Sequence, residues 1–332
     1  MTAAERPVPY STAPRERRTA ARGGMLLTFV ALAALPVVSG QNGYVLQVYT
    51  QTLLLASLAL AWNVLGISGA VSLGHAAFFG TGAYVSALLS TIQDLSVWIT
   101  IPLAGVFAAA LGMLAGLICM RLRGAYFALA TLAFVEIPRV ITTNWDNVTQ
   151  GSLGLVGLPG LPVLHWGDWR LDMAASSTAA YYFVFAYAVM VLCIVGIIQR
   201  SSFGLAFQAL REEETAALSI GIPVSALRLL ALSASAFFAG ICGACYAHLV
   251  RYIEPGLVYG LYFSAIPMVL AICGGRFTIL GPALAALVIY PLDQFVFHPL
   301  LPAGHEFLYG LALVLTVLFF PKGFWGYFGR TS

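Results

Sequence analysis

Long apolar runs recur along almost the whole chain and carry very few charges. A helix of about 20 apolar residues crosses the hydrocarbon core of a bilayer, and ten runs come near that length. They cover residues 25–40, 44–66, 70–92, 97–120, 124–145, 179–199, 227–250, 258–274, 278–297 and 306–320. Only 9% of the 332 residues are charged, against about 25% in soluble domains. The sequence therefore predicts an all-α polytopic integral membrane protein and excludes a soluble domain.

Three features of these runs limit the predicted number of transmembrane helices to about 8 to 10. The run 25–40 is short and resembles the core of a secretory signal, but the next run starts almost at once at Tyr44, which fits a signal anchor better. The run from residue 70 is rich in glycine. The last two runs before residue 300 flank Gly274 and Gly275 so closely that a re-entrant segment is an alternative there.

The basic residues indicate the orientation of the spans, because cytoplasmic loops retain Lys and Arg. With ten spans and both termini cytoplasmic, all 16 basic residues lie on the inner side except Arg139, Arg170 and Arg251. The predicted parts are a basic tail without regular structure at 1–23, a single transmembrane domain at 24–328 with an outer loop at 146–178 and an inner segment at 200–228, and a C-terminal tail at 329–332.

Side chains suited to catalysis or to metal binding are scarce. Cys242, Cys245 and His248 share roughly one face of a predicted helix. No second Cys or His pair lies nearby in sequence, and the same stretch holds small residues of the kind that lets membrane helices pack closely, so packing is the preferred interpretation. The one lysine, Lys322, is followed by Gly323, and the usual phosphate-binding loop ending in Gly-Lys-Ser/Thr is absent. We therefore predict no catalytic residue, no metal site and no cofactor bound by this chain.

Glycines and a few polar side chains mark a candidate translocation path. The stretch GISGAVSLGHAAFFGTGAY has five glycines at membrane depth, which weaken a helix and are tolerated where the backbone faces protein or a water-filled path. Close helix packing is the alternative interpretation. Glu136 and Arg139 are spaced to form an ion pair, interpreted either as structural or interfacial or as a solute contact. The candidate path residues are Ser72, His75, Tyr84, Tyr126, Thr131 and Glu136.

The inner segment 200–228 contains the densest internal charge cluster, Arg211 to Glu214. Gly221 is predicted to end a helix there and Pro223 to restart the chain. A short amphipathic helix between two spans would suit the groove of a partner protein, and a solvated charged loop is the alternative. Its predicted apolar stripe consists of Ala206, Ala209, Leu210, Ala217 and Leu218.

Several motifs in consistent order carry a resemblance to a known family. They are SLGHAAFFGTGAY, RLRGAYFALATLAFVEIPRV, NWDNVTQGSLGL, SSFGLAFQALREEETAALSIGI, AGICGACYA, GGRFTILGPALAAL and LFFPKGFWG. From about residue 50 to residue 328 the chain resembles the LivM-like membrane permeases of high-affinity branched-chain amino acid ABC importers. The resemblance implies an ABC importer permease architecture with a cytoplasmic coupling helix. It implies alternating access, in which this chain forms half of the translocation path.

The same resemblance implies partners and a coupling segment. The partners would be a sister permease subunit, two ATP-binding cassette subunits that use ATP and Mg, and an external solute-binding protein, in a bacterial inner membrane and without nucleic acid. The coupling segment would contain Arg211, Glu212, Glu213, Glu214, Thr215, Ala216, Ala217 and Gly221. Thr215 departs from the pattern, since it stands where the general importer motif has its glutamate.

The solute is the least determined part of this interpretation. A branched-chain or other hydrophobic amino acid is the default, and related permeases handle urea, short amides or aromatic acids. A stand-alone secondary carrier is a rival class, but the central intramembrane carboxylates expected of a proton-driven carrier are missing, because the acidic residues lie toward the span ends. A membrane enzyme is the weakest alternative, since no nucleophile with a base is recognisable.

Overall fold

The computed structural model describes residues 15–119, 121–166, 169–219, 221–275 and 277–301, together with residues 304, 310, 311, 314 and 318. Helices make up nearly all of it. The helices are α1 Arg15–Val38, α2 Gly43–Gly66, α3 His75–Ile92, α4 Val97–Cys119, α5 Ala125–Asn144, α6 Asp146–Thr149, α7 Ser177–Arg200, α8 Ser202–Glu212, α9 Glu214–Ser219, α10 Val224–Val250, α11 Pro255–Val258, α12 Leu261–Gly274, α13 Gly281–Leu292 and α14 His298–Leu300. A turn of π-helix, Asp293–Phe297, joins the last two.

Seven of the predicted spans are helical segments long and apolar enough to cross a membrane, which confirms the predicted fold class. They are α2, α4, α5, α7, α10, Pro255–Gly274 and Gly281–Leu300. The apolar part of α1, Leu27–Val38, is shorter, and α3 has 18 residues. The predicted span 306–320 lies mostly outside the described residues. The first two of these, α1 and α3, are among the runs that left the predicted count at 8 to 10, whereas the pair flanking Gly274 and Gly275 forms two helical segments long enough to span.

Two boundaries differ from the sequence-based expectations. Helix α1 begins at Arg15, inside the tail expected to lack regular structure; residues 1–14 lie outside the described part. Helix α3 begins only at His75, because the preceding glycine-rich stretch is turned and Gly69 has a φ of +86°. The turned backbone bonds to neighbouring side chains: Trp62 Nε1 donates to the Ser72 carbonyl at 2.8 Å and the Leu73 amide donates to Thr131 Oγ1 at 3.1 Å. Buried backbone groups outside a helix need such partners.

The centre of the bundle is formed by α2, α3, α4 and α10, and α10 packs extensively against both α3 and α4. A Cβ atom on Gly82 would overlap the backbone of Gly240, and one on Gly243 would overlap the backbone of Phe79. Small residues let membrane helices approach this closely. Close packing therefore explains the glycines inside α3, one of the two interpretations offered for this stretch.

The two ends of the bundle differ in character. One end, called the basic end here, carries Arg123, Arg211 and Arg228 close to one another around α9 and the start of α5. The opposite end carries most of the chain between α5 and α7. That segment contains α6, a 3-10 turn at Gly151–Leu153 and strands β1 Leu155–Val156, β2 Val163–Trp166 and β3 Trp169–Asp172. Strand β1 pairs antiparallel with β4, Tyr252–Ile253, and β2 pairs with β3.

Candidate functional site

The segment predicted to hold one short amphipathic helix forms two helices, α8 and α9. They are separated at Glu213, whose backbone is extended with φ −156° and ψ 108°. The carbonyl of Glu213 accepts the first helical bond of α9 from the Ala217 amide at 3.1 Å, and its carboxylate accepts a bond from the Thr215 hydroxyl at 2.5 Å. Glu213 thus begins α9 where α8 ends, and Glu214 in the first turn of α9 suits the positive end of its dipole.

Gly221 ends this segment as the sequence predicted. Its φ is +83°, its amide donates to the Leu218 carbonyl at 3.0 Å, and the Ile222 amide donates to the Ala217 carbonyl at 3.0 Å. This pair of bonds is a Schellman motif, in which the left-handed position favours glycine. The turn directs the chain into α10 through Pro223, the residue that precedes the helix.

The apolar stripe of the segment is partly different from the predicted one. Leu210 and Ala217 are buried as expected, and Phe207 is buried with them. Leu218, in contrast, is 52% exposed, because the break at Glu213 turns α9 relative to α8. We call the exposed surface formed by Glu212, Glu213, Thr215, Ala216 and Leu218 the coupling face. It combines two carboxylates with an apolar side chain.

Glu214 points the other way and holds the segment to the bundle. Its Oε2 accepts a bond from Arg228 on α10 at 3.0 Å, and its Oε1 pairs with Arg123 at 3.2 Å. The side chains of Glu214 and Arg228 are 22% and 20% exposed, whereas that of Arg123 is 74% exposed. The ion pair with Arg228 is therefore the better shielded of the two and the stronger one. A cavity of about 460 Å³ lies beside this cluster, next to the start of α5.

Arg211 makes a second attachment. Its guanidinium lies 4.2 Å from the centre of the Phe277 ring, within the range of a cation–π contact, and it pairs with Glu212 at 2.6 Å. A Cβ atom on Gly69 would approach the Arg211 backbone to 3.4 Å. The end of α8 is thus packed against the turned stretch that precedes α3.

Four of the candidate path residues are buried inside the bundle. Ser72, His75, Tyr84 and Thr131 are at most 2% exposed. His75 Nε2 lies 2.7 Å from Ser235 Oγ, and Ser235 in turn donates to the Ala61 carbonyl at 2.6 Å. Since the serine proton is used there, the histidine is the donor of the first bond. These contacts tie α3, α10 and α2 together.

The other two candidates, Tyr126 and Glu136, lie on the exposed side of α5. Tyr126 is 73% exposed, and the Glu136 side chain is 56% exposed. Arg139 donates to Glu136 Oε2 through Nε at 2.7 Å and through a terminal nitrogen at 2.6 Å, so the predicted ion pair is confirmed. The structure therefore does not bring the six residues together. Four of the side chains are buried in the bundle, and two are exposed on the outer side of α5.

Cys242 and His248, two of the three residues considered for metal binding, have other partners. Cys242 donates to the Leu54 carbonyl at 3.2 Å. His248 donates from Nδ1 to the Pro159 carbonyl at 2.8 Å, and its Nε2 bonds Ser86 Oγ at 2.8 Å. Across the described residues, no group of three or more His, Cys, Asp or Glu side chains is placed to hold a metal ion.

Three partners of the candidate residues were not predicted from the sequence. Arg123 and Arg228 were used only to orient the spans, yet both bind Glu214. Phe277 was not considered, although its ring lies under Arg211. These contacts join different helices and loops, and a single sequence has no periodicity or spacing that would reveal them.

Comparison with known proteins gives consistent results. The model of the family described as "Branched-chain amino acid transport system / permease component" matches residues 44–317. The chain is 30% identical over 295 residues to the high-affinity branched-chain amino acid transport system permease protein LivM of Escherichia coli K12, covering 82% of this chain and 68% of that protein. It is 24% identical over 328 residues to the autoinducer 2 import system permease protein LsrC of Yersinia pestis, covering 90% and 84%. No solved structure matches the chain significantly.

Proposed function

Because the chain belongs to the family of permease components of branched-chain amino acid transport systems, we propose that it forms half of a translocation path for branched-chain amino acids in an ATP-driven importer. A sister permease forms the other half. Two ATP-binding cassette subunits, which use ATP and Mg, bind at the basic end, and an external binding protein delivers the solute at the opposite end. The complex resides in a bacterial inner membrane with the basic end and both termini in the cytoplasm.

The coupling face is the observation that best supports this proposal. Glu212, Glu213 and Leu218 are exposed on a short helical segment between two long spans, which suits docking into the groove of a partner. On its other side the segment is attached through Glu214 to Arg123 and to Arg228. Arg123 lies two residues before α5 and Arg228 belongs to α10, so a pull on the coupling face would reach two membrane-spanning helices.

Charge reversal on the coupling face tests this role. In vesicles that contain the complete importer, Glu212→Lys combined with Glu213→Lys should reduce leucine uptake at least about tenfold, since it inverts the charge of the proposed docking surface and mismatched charges across an interface cost several kcal/mol. Gln93→Lys, which adds a charge at the exposed opposite end, is the control and should keep uptake. The variant chain should remain in the membrane. Undiminished solute-stimulated ATPase activity together with normal uptake would refute the role of the coupling face.

A different solute is the second candidate, and the similarity to the autoinducer 2 import permeases favours it. The same vesicles, loaded with ATP, should be offered leucine, urea, a short amide, an aromatic acid and autoinducer 2 in turn. Uptake of leucine above the others supports the amino acid assignment. Uptake by this chain alone, without any ATPase, would instead support a stand-alone carrier.

A further inference from the structure

Helix α5 presents an exposed stripe along its whole length. Exposed residues recur along this helix at intervals of three and four, which places them on one face. The stripe contains Tyr126, Leu129, Ala133, Glu136, Ile137, Val140, Ile141 and Asn144. The opposite face, with Phe127, Thr131, Phe134 and Pro138, is buried against the bundle. Most of the stripe is apolar, and the ion pair of Glu136 and Arg139 interrupts it.

The depth of this ion pair is unusual for an exposed group. Helix α5 has 20 residues, so at 1.5 Å per residue it is about 30 Å long, the thickness of the hydrocarbon core. Glu136 lies about 17 Å and Arg139 about 21 Å along it on the same scale. Glu136 is therefore well inside the span, deeper than the position toward the span end expected from the sequence, and Arg139 lies about one turn closer to the C-terminal end of the helix.

An exposed charge pair at this depth is unsuited to lipid. Charged side chains inside a membrane are costly and normally face the interior of a helix bundle or a water-filled cavity. In this chain, however, the side chains of Glu136 and Arg139 are 56% and 44% exposed, so the bundle itself does not cover them. The α5 stripe must then face either a second protein or a polar passage between this chain and a second protein.

The chemistry of the pair matches one class of solute. A free α-amino acid carries an ammonium and a carboxylate on the same carbon atom, and Glu136 and Arg139 offer the opposite charges on adjacent turns. A guanidinium binds a carboxylate through parallel hydrogen bonds, and the carboxylate of Glu136 accepts bonds from an ammonium. The neighbouring Ile137, Val140 and Ile141 are about half exposed and provide apolar contact for a hydrocarbon side chain.

We propose that the α5 stripe faces the translocation path and that Glu136 and Arg139 bind the zwitterionic end of the passing solute. This rests on the proposed function as a permease and assigns a substrate class, zwitterionic amino acids with apolar side chains, to two named residues. The resting ion pair opens to admit the solute and closes again when the solute leaves, so that neither charge is left without a partner.

Neutralising both residues tests the assignment. In the complete importer reconstituted in vesicles, Glu136→Gln with Arg139→Gln should lower kcat/KM for leucine uptake about tenfold or more, the loss expected when charge-assisted hydrogen bonds are removed. A purely structural pair would give another result, because replacing both partners of an ion pair by neutral groups is often harmless. Uptake equal to that of the unaltered protein would therefore overturn the proposal.

The reversed pair, Glu136→Arg with Arg139→Glu, is the matched control for charge neutralisation within the helix. It restores an ion pair at the same depth but reverses its polarity along α5, so uptake should stay low. Full rescue by the reversed pair would show that the pair only stabilises the helix or an interface, and would also overturn the proposal. Assembly of the tagged complex and leucine uptake by the unaltered importer are measured alongside; failure of either contradicts the proposed function itself rather than this assignment.

Discussion

The attachment of the coupling segment through Glu214 allows a quantitative prediction. The ion pair of Glu214 and Arg228 joins two side chains that are each about one-fifth exposed, so its charge-assisted hydrogen bond should contribute about 1.5 to 3 kcal/mol. The pair with Arg123 is much more exposed on the arginine side and should contribute about 0.5 kcal/mol. Glu214→Gln keeps a hydrogen-bond acceptor but removes the charge. We expect it to lower the free energy of local opening by about 2 kcal/mol.

Amide hydrogen exchange measures that free energy directly, because exchange of protected amides reports local opening. The probes are the amides of Ala217, Gly221 and Ile222, whose backbone hydrogen bonds close α9. A loss of about 2 kcal/mol should raise the exchange rate roughly 30-fold. Glu212→Gln is the control: its carboxylate also pairs with an arginine but is 73% exposed, so exchange should change by less than about threefold.

A double-mutant cycle separates the two arginines. The coupling energy between Glu214→Gln and Arg228→Gln should be about 1.5 kcal/mol or more, and that between Glu214→Gln and Arg123→Gln about 0.5 kcal/mol. Equal coupling energies, or an effect of Glu212→Gln as large as that of Glu214→Gln, would refute the argument that solvent shielding decides the strength of these pairs. In the same variants, uptake per ATP hydrolysed should fall as the segment loosens.

Two further predictions concern glycines. Gly82→Ala would place a methyl group against the backbone of Gly240 and should destabilise the bundle by about 3 kcal/mol. Size-exclusion chromatography in detergent should show this as loss of the monodisperse peak. Gly256→Ala, whose methyl group would meet nothing within 4 Å, is the control and should elute normally. A methyl group in Gly221→Ala would also meet no atom within 4 Å, but the backbone there has a φ of +83°. This substitution should therefore lower stability by only about 1 kcal/mol, measured as faster amide exchange in α9. Unchanged exchange would show that the turn imposes no strain.

The two candidate sites differ in how far the sequence could predict them. The end of the inner segment at Gly221 followed from the sequence, since a helix stop is a local property of the chain. The sequence did not show that Glu214 is bound to the bundle whereas Glu212 and Glu213 are exposed. That difference depends on the arginines that α10 and the start of α5 bring to Glu214. The candidate path mixed buried and exposed residues for the same reason. The sequence shows that a polar residue lies at membrane depth but not whether its side chain points into the bundle or away from it.

By itself, the sequence determined that this protein is a helical membrane protein, and its motifs indicated the family. Both properties are carried by the order and polarity of residues, because the bilayer requires apolar helices of fixed length whatever their arrangement. Only the tertiary structure decided which helix faces are covered. It buried His75 against Ser235, closed Glu214 onto Arg228 and left Glu136 and Arg139 exposed on α5. Those outcomes depend on how the helices pack against one another, which close packing rather than hydropathy decides.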